Sequence, residues 1–210
     1  MLRDVAITRI QDGLGFRTDQ SDRIALRLQE EQRDLERGKI LPRFLLRLDQ
    51  TLSLLSGSQT VSLPSDFLRR SPNSLRYLPT DGSSDVYQTI PWRTYDEAFA
   101  TYSDWDAAGP KVAVLRVSDV YFFPEADVNY SVLWSYYRKD DVLTSNVENL
   151  WLANSPELLI GGAGRRIARD LRNKEAYQLF DEMYKMARVA WFNETVESEN
   201  EAPLLLGANN

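Results

Sequence analysis

The sequence contains neither cysteine nor histidine. Without cysteine the chain has no disulfide, no thiolate nucleophile and no zinc–thiolate site. Without histidine it has no Ser-His-Asp or Cys-His catalytic unit and no imidazole base. An enzyme built from this chain would have to use carboxylate pairs, and a bound metal would have to be a hard cation held by carboxylates. We therefore expect no enzyme, no cofactor and no metal site.

Long apolar runs are also missing. Nothing approaches the roughly 18 consecutive apolar residues of a membrane span, and charges interrupt the apolar positions of the N-terminus, which does not resemble a secretory signal. We expect no membrane partner. The formal net charge is −6, whereas a protein that binds nucleic acid with its whole surface is usually basic. Contact with DNA would therefore need a local patch.

Hydrophobic periodicity divides the 210 residues into zones. Apolar residues recur at helical spacing in 1–43 and 141–193 and alternate at the strand period in 44–140. This order predicts an α+β fold, in which the N-terminal helices and a long C-terminal helix form an α-helical bundle around an inserted antiparallel β sandwich or barrel. Residues 194–210 are acidic and lose periodicity, which predicts a flexible tail.

Within the β zone, residues 46–54 and 61–63 flank a turn at 57–58, and this pattern predicts a hairpin. Thr94 and Glu97 have the spacing of a capping box and predict one short helix. Further alternating stretches predict strands at 75–78, 86–90, 111–117, 119–123 and 129–138.

The C-terminal zone predicts one helix from 156 to about 193, roughly 55 Å long at about 1.5 Å per residue, with Asn173 as a candidate position for a bend. Its stretch "LLIGGAGRRIARDL" raises the question of a phosphate-binding loop. Gly162 and Gly164 supply G-x-G, but Ile167 takes the third position, a proline suited to a first helical turn precedes them, and no Gly-Lys-Ser/Thr follows. Each glycine costs a helix roughly 1 kcal/mol relative to alanine. Gly161, Gly162 and Gly164 are therefore predicted to permit close packing of a neighbouring subunit.

Four arginines follow the glycines. Arg165, Arg169 and Arg172 share a helix face at i, i+4 and i+7, and Arg166 lies beside it. This face is either solvated or directed toward DNA or acidic neighbours, and the four residues are candidates for lining a DNA channel. In the preceding helical zone, the many opposite charges of residues 18–38 predict an exposed helix face.

The last residues combine acidity with a short apolar run. Leu204, Leu205 and Leu206 follow Pro203, whose fixed φ and missing N–H discourage helix continuation. The segment is either a frayed end or a docking element that orders on a partner.

The order of these parts resembles the head–tail adaptor proteins of tailed bacteriophages. The resemblance covers about residues 1–193 and lies in the linking phrases "LRDVAITRIQDGLGF", "TLSLLSGSQTVSLPSDF", "VYFFPEADVNYSVLWSYYRKDDVLTS" and "NSPELLIGGAGRRIARDL". It implies a virion protein without catalytic residues, assembled in the host cytoplasm into a ring of usually twelve subunits around a channel for double-stranded DNA. It also implies that the C-terminal segment docks on the portal protein and that another surface receives the next tail or neck protein.

Two alternatives come from the β zone. The first is a glycan-cleaving tail component, and the second is a carbohydrate- or protein-binding module without catalysis. Carboxylate pairs for glycoside hydrolysis need separations of about 5–10 Å, which sequence does not provide. The candidate carboxylates are Asp104, Asp106, Asp119, Glu125 and Asp127, with Trp92, Trp105 and Tyr121 as a possible platform for sugars.

Overall fold

The computed structural model describes residues 1–79, 86–145 and 148–205. In this part of the chain the fold is α+β, with six α-helices and two antiparallel sheets, which confirms the predicted class. The helices are α1 (Arg3–Gly13), α2 (Ser21–Glu36), α3 (Tyr95–Tyr102), α4 (Leu150–Asn154), α5 (Pro156–Asp170) and α6 (Lys174–Leu205). The strands are β1 (Leu46–Leu54), β2 (Thr60–Ser62), β3 (Phe67–Tyr77), β4 (Gln88–Thr89), β5 (Val112–Arg116), β6 (Asp119–Phe123) and β7 (Tyr130–Arg138).

Contacts divide the chain into two compact units. A helical unit comprises Met1–Leu45 and Lys139–Asn210, and a β unit comprises Leu46–Arg138. No helix in the described ranges is both long and apolar enough to cross a membrane.

Helix α5 is the centre of the helical unit and packs on α1, α2, α4 and α6. Apolar and small residues cover most of its surface, so that it buries more than one face. A helix that is apolar on several sides is stable when neighbours enclose it, and here four do so. These four helices contribute fully buried side chains, among them Ile10 of α1, Ile24 and Leu28 of α2, Trp151 of α4 and Phe180 of α6.

The prediction of one long C-terminal helix is wrong, because the chain reverses between α5 and α6. Arg172 has φ 55°, in the left-handed region, and the Asn173 side chain accepts a hydrogen bond of 3.1 Å from the Ala176 backbone N–H at the start of α6. A left-handed residue followed by a side-chain cap is an efficient way to end one helix and begin another. Arginine gives no sequence signal for such a break, which is normally marked by glycine.

The C-terminal boundary also differs from the expectation. Helix α6 continues to Leu205. The segment 194–205, predicted as a flexible tail, is therefore helical, and Pro203 does not end the helix.

The β unit contains a four-stranded sheet in the order β1-β7-β3-β4 and a three-stranded sheet in the order β2-β6-β5. Strands β5, β6 and β7 lie where alternation predicted them. The predicted hairpin of β1 with β2 is wrong: β1 pairs with β7 and β2 pairs with β6. Alternation identifies which residues face a core, but it does not specify which strands pair.

Side chains of both sheets form one apolar core, with Trp134 and Tyr136 from β7 and Phe122 from β6 among its fully buried members. The capping box of α3 is confirmed. Thr94 accepts a hydrogen bond from the Glu97 backbone N–H, and Glu97 accepts one from the Thr94 backbone N–H.

Candidate interaction surfaces of the helical unit

The three glycines of α5 permit the close approach that their spacing predicts, but the partners belong to the same chain. A Cβ added at Gly161 would lie 2.8 Å from the backbone nitrogen of Tyr184 in α6. One added at Gly164 would lie 2.5 Å from the Phe180 ring, and one added at Gly162 would overlap the Glu31 side chain of α2. All three glycines are buried. Helices α2 and α6 thus occupy the surface that was assigned to a neighbouring subunit.

A buried carboxylate lies against this glycine surface. The Glu31 side chain is only 2% exposed, and the Arg166 Nη2 atom lies 2.8 Å from its Oε2. The same Nη2 atom donates a hydrogen bond of 2.7 Å to Asp34 on the surface. Burial raises the pKa of Glu31, and the positive charges of Arg166 and Arg165 partly oppose this shift. Arg166 therefore stabilises the fold by compensating a charge that α2 brings into the interior.

Sequence reasoning missed Glu31, because it interpreted the charges of α2 as an exposed face. Glutamate is rarely buried unless it is paired. The spacing of Glu31 could have revealed its burial. It lies seven residues after Ile24 and three after Leu28, and therefore on the same apolar side of the helix.

The arginine row is divided between internal and external roles. Arg165 stacks 3.7 Å above the Tyr184 ring centroid and lies 3.7 Å from Asp181.

Arg165, Arg166 and Arg169 line one hollow of about 390 Å³ together with Tyr177. Arg169 and Arg172 are exposed and have no ion pair within the described ranges. The structure therefore brings three of the four arginines together but leaves uncompensated charge only on Arg169 and Arg172.

One side of α6 carries exposed apolar side chains. Leu179 is 50% exposed and Met186 is 70% exposed. They line a groove of about 510 Å³ with Met183, and Glu182 and Glu194 lie on it as well; we name this surface the acidic groove. Leu179 and Met183 do not belong to the core row of α6, which consists of Ala176, Phe180 and Tyr184.

A second groove, of about 430 Å³, lies between α6 and the α2 end of the unit. Lys39, Tyr184, Arg188 and Phe192 line it, and we name it the basic groove. Phe192 is 45% exposed.

Three of the five candidate carboxylates of the β unit have local hydrogen-bond partners. Asp119 accepts hydrogen bonds from the Ser62 and Ser118 hydroxyls, and Asp127 accepts one of 2.7 Å from the Tyr130 hydroxyl. Asp104 accepts one from Ser103 next to it. Asp106 and Glu125 lie in loops and are exposed. These contacts are typical of turn and strand-end residues.

The aromatic residues proposed as a sugar platform do not lie on one surface. Trp92 packs beside Trp134 of the core, and Tyr121 packs edge-on against Tyr95. Trp105 is half exposed and contacts Tyr102.

Of the apolar run at the C-terminus, Leu204 and Leu205 belong to the last turn of α6. Leu206 lies outside the described residues.

A comparison with protein-family models finds a match to the model described as SU10 adaptor protein, over residues 2–202. The chain belongs to this family. The match confirms the resemblance to phage head–tail adaptors that the linking phrases of the sequence indicated. The matched range spans both the helical unit and the β unit. A search of curated proteins found no matching protein.

Proposed function

We propose that this SU10 adaptor is a structural head–tail adaptor that forms a ring of twelve subunits beneath the phage portal. The ring extends the channel for double-stranded DNA and joins the head to the next tail or neck protein. The observation that carries the proposal is the family match over residues 2–202. The polar partners of the β-unit carboxylates give no support to a glycan-cleaving alternative.

In this proposal each part of the chain has a separate role. The helical zones 1–43 and 141–193 form the bundle that assembles the ring. The β module 44–140, folded as a sandwich, faces the next component. The segment 194–210 docks on the portal through Leu204, Leu205 and Leu206. The exposed apolar side chains of α6 support the assembly role, since exposed apolar patches mark interaction surfaces.

The function is tested by removing the chain from the phage that encodes it. We expect DNA-filled heads and separate tails in electron micrographs, and joined particles when the wild-type chain is supplied in trans. A chain that ends at Ala202 tests the docking segment in the same assay: it should fold and fail to restore joined particles. Joined particles without any adaptor would contradict the proposal.

DNA contact is proposed for Arg169 and Arg172, because the charges of Arg165 and Arg166 are compensated within the protomer. Phosphate contacts by such residues are independent of sequence and weaken with salt. We expect Arg169→Glu and Arg172→Glu particles to lose packaged DNA faster than wild type, with an unchanged melting temperature of the isolated chain. Nuclease-sensitive DNA release measures the effect.

Arg33→Glu is the matched control, because Arg33 is also exposed and has no ion pair in the described part of the chain. It makes the same change of charge on α2 and should leave release unchanged. Equal release from all three variants would exclude a specific channel role for the α5 arginines.

A further inference from the structure

Helix α6 lines two chemically different grooves, which share Trp191 at their boundary. Leu179 of the acidic groove and Arg188 of the basic groove are nine residues apart, which at about 100° per residue places them half a turn from each other. The helix has 32 residues and is therefore about 48 Å long. A neighbour on each side could contact a long seam without displacing α5.

The two grooves have opposite charge. Glu157, Glu182 and Glu194 line the acidic groove, and no lysine or arginine is present in its described lining. In the basic groove Arg165 and Arg166 are paired with Asp181, Glu31 and Asp34, and Arg188 adds a further positive charge. Glu182 and Arg188 are both exposed, and neither has an ion pair among the residues that the structure describes. Glu157 has Arg9 within 3.6 Å, whereas Glu182 and Arg188 each lack, in the described part of the chain, a counter-charge that the other can supply.

Exposed apolar side chains lie beside these charges. Met186 is 70% exposed on the acidic side, and Phe192 is 45% exposed on the basic side. Aromatic residues and methionine are enriched in the cores of protein interfaces, where charged residues form the rim. Each side of α6 thus has the apolar centre and charged rim of an interface half.

We propose that the acidic groove of one protomer binds the basic side of α6 from a second copy of this chain. The inference rests on the proposed ring and names the faces that form it. Pairing of like faces would bring Glu182 against Glu182 or Arg188 against Arg188, which is repulsive. Pairing of unlike faces is heterologous, and a heterologous contact repeated by a fixed rotation closes into a ring.

Charge reversal on the two faces tests the pairing. Glu182→Arg places two arginines opposite each other across the proposed contact, and Arg188→Glu places two glutamates opposite each other, so neither variant should form rings with the portal. A mixture of the two variants in equal amounts should form rings again, because each interface then joins opposite charges in alternating order. The double variant Glu182→Arg/Arg188→Glu should also form rings. We expect ring yield, measured by mass photometry, to fall about tenfold or more in each single variant.

Glu175→Arg is the matched control. Glu175 is exposed on α6 and lines neither groove, so its reversal should leave the ring yield unchanged. Melting temperatures equal to wild type verify that all variants fold. Single variants that form rings normally would overturn the assignment of faces, as would a mixture and a double variant that both stay unassembled. A wild-type chain that forms no ring with the portal overturns the proposed function itself, and this result is distinct from the other two.

Discussion

Arg166→Met is expected to lower the free energy of unfolding by about 3 kcal/mol at neutral pH, the lower end of the cost of breaking a buried ion pair. The substitution keeps much of the side-chain volume but leaves the Glu31 carboxylate, 2% exposed, without its cation. For a chain of this size the loss corresponds to a melting temperature lower by about 6–12 °C. Thermal unfolding followed by circular dichroism measures it.

A second variant separates the charge from the packing. Glu31→Gln/Arg166→Met removes both charges and should recover most of the lost stability, because no buried charge remains unpaired. Arg169→Met is the matched control at an exposed position and should change the melting temperature little. If the double variant is as unstable as Arg166→Met, the pair does not stabilise the fold in the way described.

The destabilisation by Arg166→Met should also depend on pH. The pKa of Glu31 is raised by burial above its ordinary value of 4.5, and removal of Arg166 raises it further because a cation no longer favours the charged form. Between the unfolded and folded pKa the native state holds more protons, so the contribution of Glu31 to stability falls as the pH rises through the folded pKa. We therefore expect the effect of Arg166→Met to be smaller at about pH 5 than at about pH 7.5. An effect that grows on acidification would contradict the burial of this carboxylate.

Gly161→Ala is expected to destabilise the protomer by about 1–3 kcal/mol, the cost of overpacking a well-packed interior. In an exposed helix the same change stabilises by up to about 1 kcal/mol. Here the added Cβ would lie 2.8 Å from the Tyr184 backbone nitrogen, so α5 and α6 would have to separate. Gly164→Leu should lower the free energy of unfolding by more, because the leucine side chain would need the space that the Phe180 ring occupies.

These two variants also distinguish packing of the glycines within the protomer from packing against a neighbouring subunit. If the glycines packed a neighbouring subunit, the isolated protomer would keep its melting temperature and only the assembly would be affected. If the glycines pack against helices of the same protomer, the melting temperature of each isolated variant must be lower than that of the wild-type chain. Thermal unfolding in dilute solution measures this difference. Gln178→Ala, at an exposed position of α6, is the matched control and should be neutral.

The elements predicted correctly from the sequence are those whose local sequence patterns match their final packing. The capping box of Thr94 and Glu97 defines α3 by local hydrogen bonds, and the alternation in β7 reflects a core on one face. The glycine spacing in α5 predicted that another segment packs closely on this helix, and the structure shows such packing. Its partner could not be predicted, because Asn173 indicates a bend but does not specify the full reversal that brings α6 back onto α5.

The surfaces proposed for assembly were harder to predict for a related reason. Periodicity identifies that α6 is amphipathic, but it does not show which of two adjacent apolar rows faces α5. The row with Phe180 and Tyr184 packs inward because Gly161 and Gly164 leave room for it. Leu179 and Met186 therefore remain exposed. This arrangement depends on the packing of α6 on α5, which periodicity within α6 alone does not reveal.

The central claim, that this SU10 adaptor forms a ring on the portal, is tested most directly by the mass of the assembled complex. The chain is mixed with the purified portal of the same phage, and the complex is measured by native mass spectrometry against the portal alone. For a dodecamer the added mass is twelve times the chain mass of 24.2 kDa, or about 290 kDa. One closed species with that increment, or with another fixed whole-number multiple, is the expected result. No binding, or a ladder of complexes in steps of 24.2 kDa without a preferred closed species, would contradict the account.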